Sequence, residues 1–535
     1  MYRFLIVLTG VLSTLVVLPA AAQHHASTSA PAMHLYDNLG AHHRPVTTTS
    51  AEAQRYFDQG MRLAFAFGRS DAAAAFREAQ RLDPNCAMCY WGEAWSLGPY
   101  INEPLYDEAR VPAHEAARKA RSLAGGATPI EQALIDAMGV RYAPPQDAPS
   151  SDRASLDAAY ADAMREVVRR FPEDLDATAL HAEALMVLRP WDHWTADGGP
   201  QPGTEEALTV LESVLDRDLE HAAACHLYIH LVEASPRPER AEACADHLAA
   251  GIPGASHIQH MPSHIYMNVG RYADSVRRNQ IARQMDQRAA RGEAVAIYPE
   301  HNLHMLVFAG WMDGQSAVSL QAARDLARLS PPDAFYPVVV LARFGRWDEV
   351  LEVSGPVEPP FQAGMWSFAR GLAHLRLDDA DSSRFYRDRL SSTARATPDS
   401  LLWGFVGHRQ ADLLNIAAGI LSGEVAASEG RFDEAVAALE EAIAVEDRLA
   451  YDEPEPWPLP SRHVLGAILL EADRAAEAER VYREALEIHP ENGWSLFGLA
   501  RSLTMQDKNE EAAAAWSRFD EAWARADVAL YGSRF

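Results

Sequence analysis

The chain has 535 residues, 48% of them hydrophobic, and a formal net charge of −27. That apolar content excludes a disordered chain and is enough for an extended core or several domains. The acidic balance, with no basic strip to offset it, excludes nucleic acid and anionic lipid as expected partners and suits metal ions or cationic groups.

Residues 1–22 read as a secretory signal peptide. Arg3 gives a positive start, Phe4 to Leu18 an apolar stretch, and Pro19-Ala20-Ala21-Ala22 a small-residue cleavage site. The apolar run is short of the ~20 residues that span a bilayer, so cleavage and export are expected rather than an uncleaved anchor, and the mature chain is expected to be periplasmic or secreted. No later segment reads as a membrane span, so no stable membrane insertion is expected after cleavage. Residues 23–50 are polar and irregular, carry His24, His25, His34, His42 and His43, and predict a mobile amino-terminal segment. With cleavage after Ala22, the free end Gln23-His24-His25 can chelate copper or nickel, or serve simply as a solubilising tail.

From Ser50 onward the periodicity is helical and it repeats. Arg55 to Pro84 predicts a pair of helices with Gly68 at the turn, and Gly270-Arg271-Tyr272, Gly345-Arg346-Trp347 and Gly430-Arg431-Phe432 mark similar turns. Leu465-Gly466, Ala478, Tyr482, Ala485 and Pro490 match one full 34-residue tetratricopeptide repeat, in which small residues let paired helices approach and proline ends the second. The expected fold is all-α, a tetratricopeptide-type solenoid of about a dozen helical hairpins in a right-handed superhelix. Residues 51–450 form its irregular part, 451–460 a Pro/Trp-rich insertion, and 461–527 two terminal units. Trp191-Asp192-His193-Trp194 with Gly198-Gly199-Pro200, and Tyr451 to Trp457, break the helical pattern, and both are expected to fold back onto the groove.

Three successive hairpins carry histidines at helical spacing. Framed on the turn residues, His257, His260 and His264 take positions 2, 5 and 9 of one repeat, His301 and His304 positions 2 and 5 of the next, and His226 and His230 positions 5 and 9 of the one before. Seven of these nine slots are histidine in a chain with only 21, which chance does not explain. At about 100° per residue these positions share the face of the first helix that lines a concave groove. Imidazoles from neighbouring helices can therefore converge on a transition metal such as copper, zinc or iron. Glu233, at position 12, and Glu183, from the preceding repeat with Asp176, are further ligands, orienters or, in an enzyme, the general base. The same cluster can instead be a hydrogen-bonded lining without metal, or a pH switch. Pro262 is expected either to kink the middle helix or to start a new one.

The four cysteines suggest two bridges, with three pairings open. The repeat frame puts Cys225 and Cys244 on facing positions of one hairpin, which a bridge would staple, with two buried thiols as the alternative; Cys86 and Cys89 suit a structural role or a reactive or metal-binding pair. Trp91 and Trp95 suit core packing or stacking on a ligand. Phosphate loops, nucleophile elbows and the H-E-x-x-H zinc motif are absent from the sequence.

At Asp83 to Ala94, His257 to Tyr272, His301-Asn302-Leu303-His304 and Asn492-Gly493-Trp494 the chain resembles a family of bacterial, often exported, tetratricopeptide-repeat proteins. The likeness covers nearly all of the mature chain and implies an α-solenoid. That family has no agreed biochemical activity, so the resemblance implies none here. Its motifs include Tyr451, Glu453, Pro454, Trp457 and Arg462, which implies a site or a groove closure there; where this chain has Cys89 the family often has alanine. Three functions are thus expected in order: a metal-binding protein, a metal-dependent hydrolase or oxidase using the same cluster, and an adaptor whose groove grips a protein or peptide partner.

Overall fold

The structure, a computed structural model, describes residues 33–142, 144, 153–356 and 358–535. The expected signal peptide and Gln23-His24-His25 lie outside the described residues. The hydroxyl of Ser50 accepts from Ala53 N and opens the helix Ala51–Phe65, which packs on Arg69–Leu82 as the first hairpin. Gly60 in this hairpin and Gly92 in the next both abut the ring of Phe76, so a Cβ at either would overlap it. Gly466 and Gly498 press on Tyr482 in the same way near the other end of the chain. Each of these rings is fully buried, a contribution of roughly 1.5–3 kcal/mol. The hairpin unit recurs down to Gly493–Met505 and Asn509–Ala522, with the first helices of neighbouring units side by side. The fold is thus an all-α solenoid, interrupted by the small hairpin Leu402–Trp403/His408–Arg409.

Turns fall where their chemistry allows. Gly270 and Gly345 take φ of 81° and 69°, as the spacing predicts, but at the first hairpin the left-handed residue is Phe67 (φ 63°) rather than Gly68. Pro262 begins a new helical segment, Pro262–Asn268, directly after Ser256–His260, because it cannot donate a hydrogen bond within a continuous helix. Cys225 pairs with Cys244 and Cys86 with Cys89.

Residues 35–50 depart from the expected mobile segment. Arg44 pairs with Asp174 at 2.8 Å and Asp176 at 3.0 Å, Thr47 N donates to Glu131 at 2.6 Å, and Thr48 donates to Asp83 at 2.6 Å. Buried carboxylates near the starts of other helices tie this stretch down, and they are too distant in the chain for local composition to reveal. At the other end, Trp494 Nε1 donates to Trp311 O at 3.0 Å, Arg525 pairs with Asp313 at 2.8 Å, and Phe535 packs on Gly345. The last hairpin thereby returns to the middle of the chain, and Leu35–Phe535 forms one compact unit. No helix among the described residues is long and apolar enough to cross a membrane.

Candidate metal centre

The histidines sit on three first helices: His226 and His230 on Ala222–Val232, His257, His260 and His264 on Ser256–His260 and Pro262–Asn268, and His301 and His304 on Pro299–Met312. Helical spacing turns each set to one side, and the helices lie next to one another, so the rings meet. They group as two triads, His226/His230/His257 and His260/His264/His301, with donor atoms in each within 4.8 Å of one another. The triads are neighbours: ring centroids of His257 and His260 are 5.7 Å apart, as are those of His230 and His264.

Hydrogen bonds fix how the imidazoles are presented. His226 Nδ1 donates to the carbonyl of Phe65 at 2.6 Å, which leaves its Nε2 as a lone pair 3.2 Å from His257 Nε2. His260 Nδ1 donates to Asn279 Oδ1 at 2.7 Å, the amide NH2 of Asn279 being committed to Ser275 O, so His260 Nε2 is also a lone pair, 2.6 Å from His264 Nε2. His230 Nδ1 lies 2.9 Å from Glu233, and His264 Nδ1 3.0 Å from the other oxygen of Glu233. Four rings therefore have Nδ1 held from behind and Nε2 aimed forward, the usual way a protein orients imidazole ligands. Among the described residues, His230 Nε2 and His257 Nδ1, both buried, have no hydrogen-bond partner.

Burial holds most of the rings neutral. His226, His257 and His260 are pushed well below the usual histidine range by loss of water, reinforced by neighbouring imidazoles, and His230 and His301 fall to about 3 for the same reason. His264 is the exception: burial would lower it, but Glu453 and Glu233 outweigh that and hold it up at about 10. Burial, with Glu233 nearby, raises Glu453. The triads adjoin a cavity of about 450 Å³ walled by Trp191, Tyr298, Trp403 and Phe405 and reached by His230, His257, His264, His301 and His304.

Three aromatic residues against the first triad have left-handed backbones. Phe67 (φ 63°) packs 4.1 Å from His226, Trp191 (φ 62°) 5.4 Å from His230, and Tyr298 (φ 52°) 5.0 Å from His257, by ring centroids. For bulky side chains this conformation costs of order 1–3 kcal/mol, a strain found where surrounding structure needs a group aimed.

Two sequence expectations are corrected. Glu183 is not with the histidines: it pairs with Arg69 and accepts from Trp95 Nε1 at 2.8 Å, so it neutralises a buried guanidinium. Its repeat position is as read, but its hairpin precedes the triads and Arg69 intervenes. His304 belongs to neither triad; it bonds the hydroxyl of Tyr336 and only lines the cavity. Asp176 likewise serves Arg44 and His221, and Trp91 stacks on Trp95 in the core. What histidine periodicity misses is Glu453, which pairs with His264 from the 451–460 insertion, held in turn by Tyr451. The sequence signals for it are the break in helical pattern and the family motif to which Glu453 itself belongs.

Tetratricopeptide-repeat models match residues 415–491 and 469–518. No curated protein matches the chain. Among solved structures, human IFIT1 bound to PPP-AAAA is 10% identical, with 90% of this chain and 92% of that one covered at a TM-score of 0.31. Yeast Tom70 is 12% identical, with 88% and 92% covered at a TM-score of 0.28. At such scores neither likeness bears on ligand or partner. The matched repeats continue the helical hairpins that hold the histidines, and residues 415–518 are tetratricopeptide repeats.

Proposed function

We propose that this protein is exported and holds two transition-metal ions side by side, one per histidine triad. The observation that carries the reading is the convergence of six imidazoles, from three hairpins, into two sets whose donor atoms lie within 4.8 Å of one another. An all-imidazole set suits copper, zinc or iron. Glu233 and the carbonyl of Phe65 act behind the ligands, and Glu453 takes the proton-bearing side of His264. Two paired cysteine bridges suit an oxidising compartment.

A second reading, an enzyme, is favoured by the cavity. Three protein ligands per ion are characteristic of catalytic sites, which keep a position for water or substrate, and such an ion supplies Lewis acidity or redox chemistry. Glu233 is a poor general base there, since both its oxygens are engaged by histidines. The tetratricopeptide repeats also support a protein partner, and nothing in the metal reading competes with one. Elemental analysis of the exported protein tests the proposal. About two equivalents of metal are expected, falling to about one in His226→Ala/His230→Ala and in His260→Ala/His264→Ala; background metal in the unaltered protein overturns it.

A further inference from the structure

We propose that the cavity beside the histidines binds a small organic cation, an aryl-alkyl amine or a quaternary ammonium compound, with its charge against Glu300 and Asp333. The proposal rests on the metal reading for what the ligand meets at the buried end, but the walls carry it. Trp191, Tyr298, Trp403 and Phe405 present ring faces and edges to a space of about 450 Å³, within the range of sites for small organic molecules. Glu300 and Asp333 line the same space, and no lysine or arginine is among the described residues that do. Asp452 and Glu453 are engaged by His408 and His264, whereas Glu300 and Asp333 enter no ion pair among the described residues. Ring faces attract cations and a low-dielectric wall sharpens the field of a carboxylate, so neutral and anionic ligands are discriminated against.

Two observations point to a ligand rather than to packing alone. Trp191 and Tyr298 hold left-handed backbones that aim their rings at this space. Phe405, at the tip of the hairpin Leu402–Trp403/His408–Arg409, is 60% exposed although its ring lies 5.2 Å from Trp191. A flat apolar body lying against these rings from the cavity side would cover what water now touches. The cationic head is seated against the carboxylates of Glu300 and Asp333.

The test uses one carrier with three heads: tryptamine, its N,N,N-trimethyl derivative and the neutral indole-3-ethanol, titrated calorimetrically into the full mature protein. Both cations are expected to bind about tenfold more tightly than the alcohol, and Asp333→Asn/Glu300→Gln is expected to remove that preference while leaving metal content unchanged. The trimethyl compound cannot ligate a metal, so binding by tryptamine alone would mean coordination and overturn the proposal, as would equal affinity for the alcohol. The same series on the unaltered protein stripped of metal by a chelator separates the two readings. Cation preference retained there sustains the cavity assignment whatever the metal analysis shows, and absence of preference in both forms overturns it even where metal is found.

Discussion

Glu233 lies 3.0 Å from the Nδ1 of His264, on the neighbouring hairpin, while its other oxygen lies 2.9 Å from the Nδ1 of His230 on its own. One buried carboxylate thus orients a ring in each triad. Glu233→Gln keeps the volume but turns one acceptor into a donor, so one of the two rings loses its restraint. Metal affinity is expected to fall about 10- to 100-fold, read by competition with a chelator of known affinity. Unchanged affinity would mean that the triads are oriented without it.

Glu183 carries the opposite expectation. Its partners are Arg69 and Trp95, and Arg69 is buried. Glu183→Ala leaves a guanidinium uncompensated in the interior, a loss of about 3–5 kcal/mol. Chemical denaturation should report that loss, while metal content stays at the level of the unaltered protein. Lost metal with unaltered stability would restore Glu183 to the site.

The divide between these two glutamates marks what can be read from sequence. Position within a repeat is periodic, so the face that carries His226, His230, His257, His260, His264 and His301 was legible, as was the facing of Cys225 and Cys244. Neighbours from outside the repeat are not periodic. Glu453 arrives from an insertion nearly two hundred residues beyond His264, and Arg69 reaches Glu183 from the first hairpin; each contact depends on how far the solenoid curls. Arg44 is a third case, reading locally as part of a polar tail while its partners are Asp174 and Asp176.

The Cys225–Cys244 bridge closes a loop with a sequence separation of 19 and joins the helices that hold and back His226 and His230. Closing a loop of that size stabilises by about 3 kcal/mol through the unfolded chain. Cys225→Ala/Cys244→Ala is expected to lower stability by that amount and to weaken the first triad's metal site more than the second's. Equal weakening of both, resolved by titrating metal into the metal-free variants, would mean that the staple acts on the whole chain.

Stability of the metal-free protein should pass through a maximum near pH 6.5–7, and the sign of each contribution sets that position. Burial lowers His181, His193 and His489 to about 4, and lowers His463 well below its usual range. Once unfolded, each binds a proton below about pH 6.5, whereas in the folded state His181, His193 and His489 do not until near pH 4. Stability therefore falls as pH drops through that window, by roughly 2 kcal/mol at pH 5 for each of these three histidines, and His463 adds in the same direction. Burial has the reverse effect on Glu446 and Glu455, raised to about 7 and about 8. Their contribution is present at low pH and is lost as pH rises through those values, and that of His264, held at about 10, is lost later still. The buried histidines outnumber the raised carboxyls, so the acid side should be the steeper. A Tm profile from pH 4.5 to 9 in the presence of chelator checks this; a Tm that climbs as pH falls below 6 would show that these rings are protonated in the folded chain.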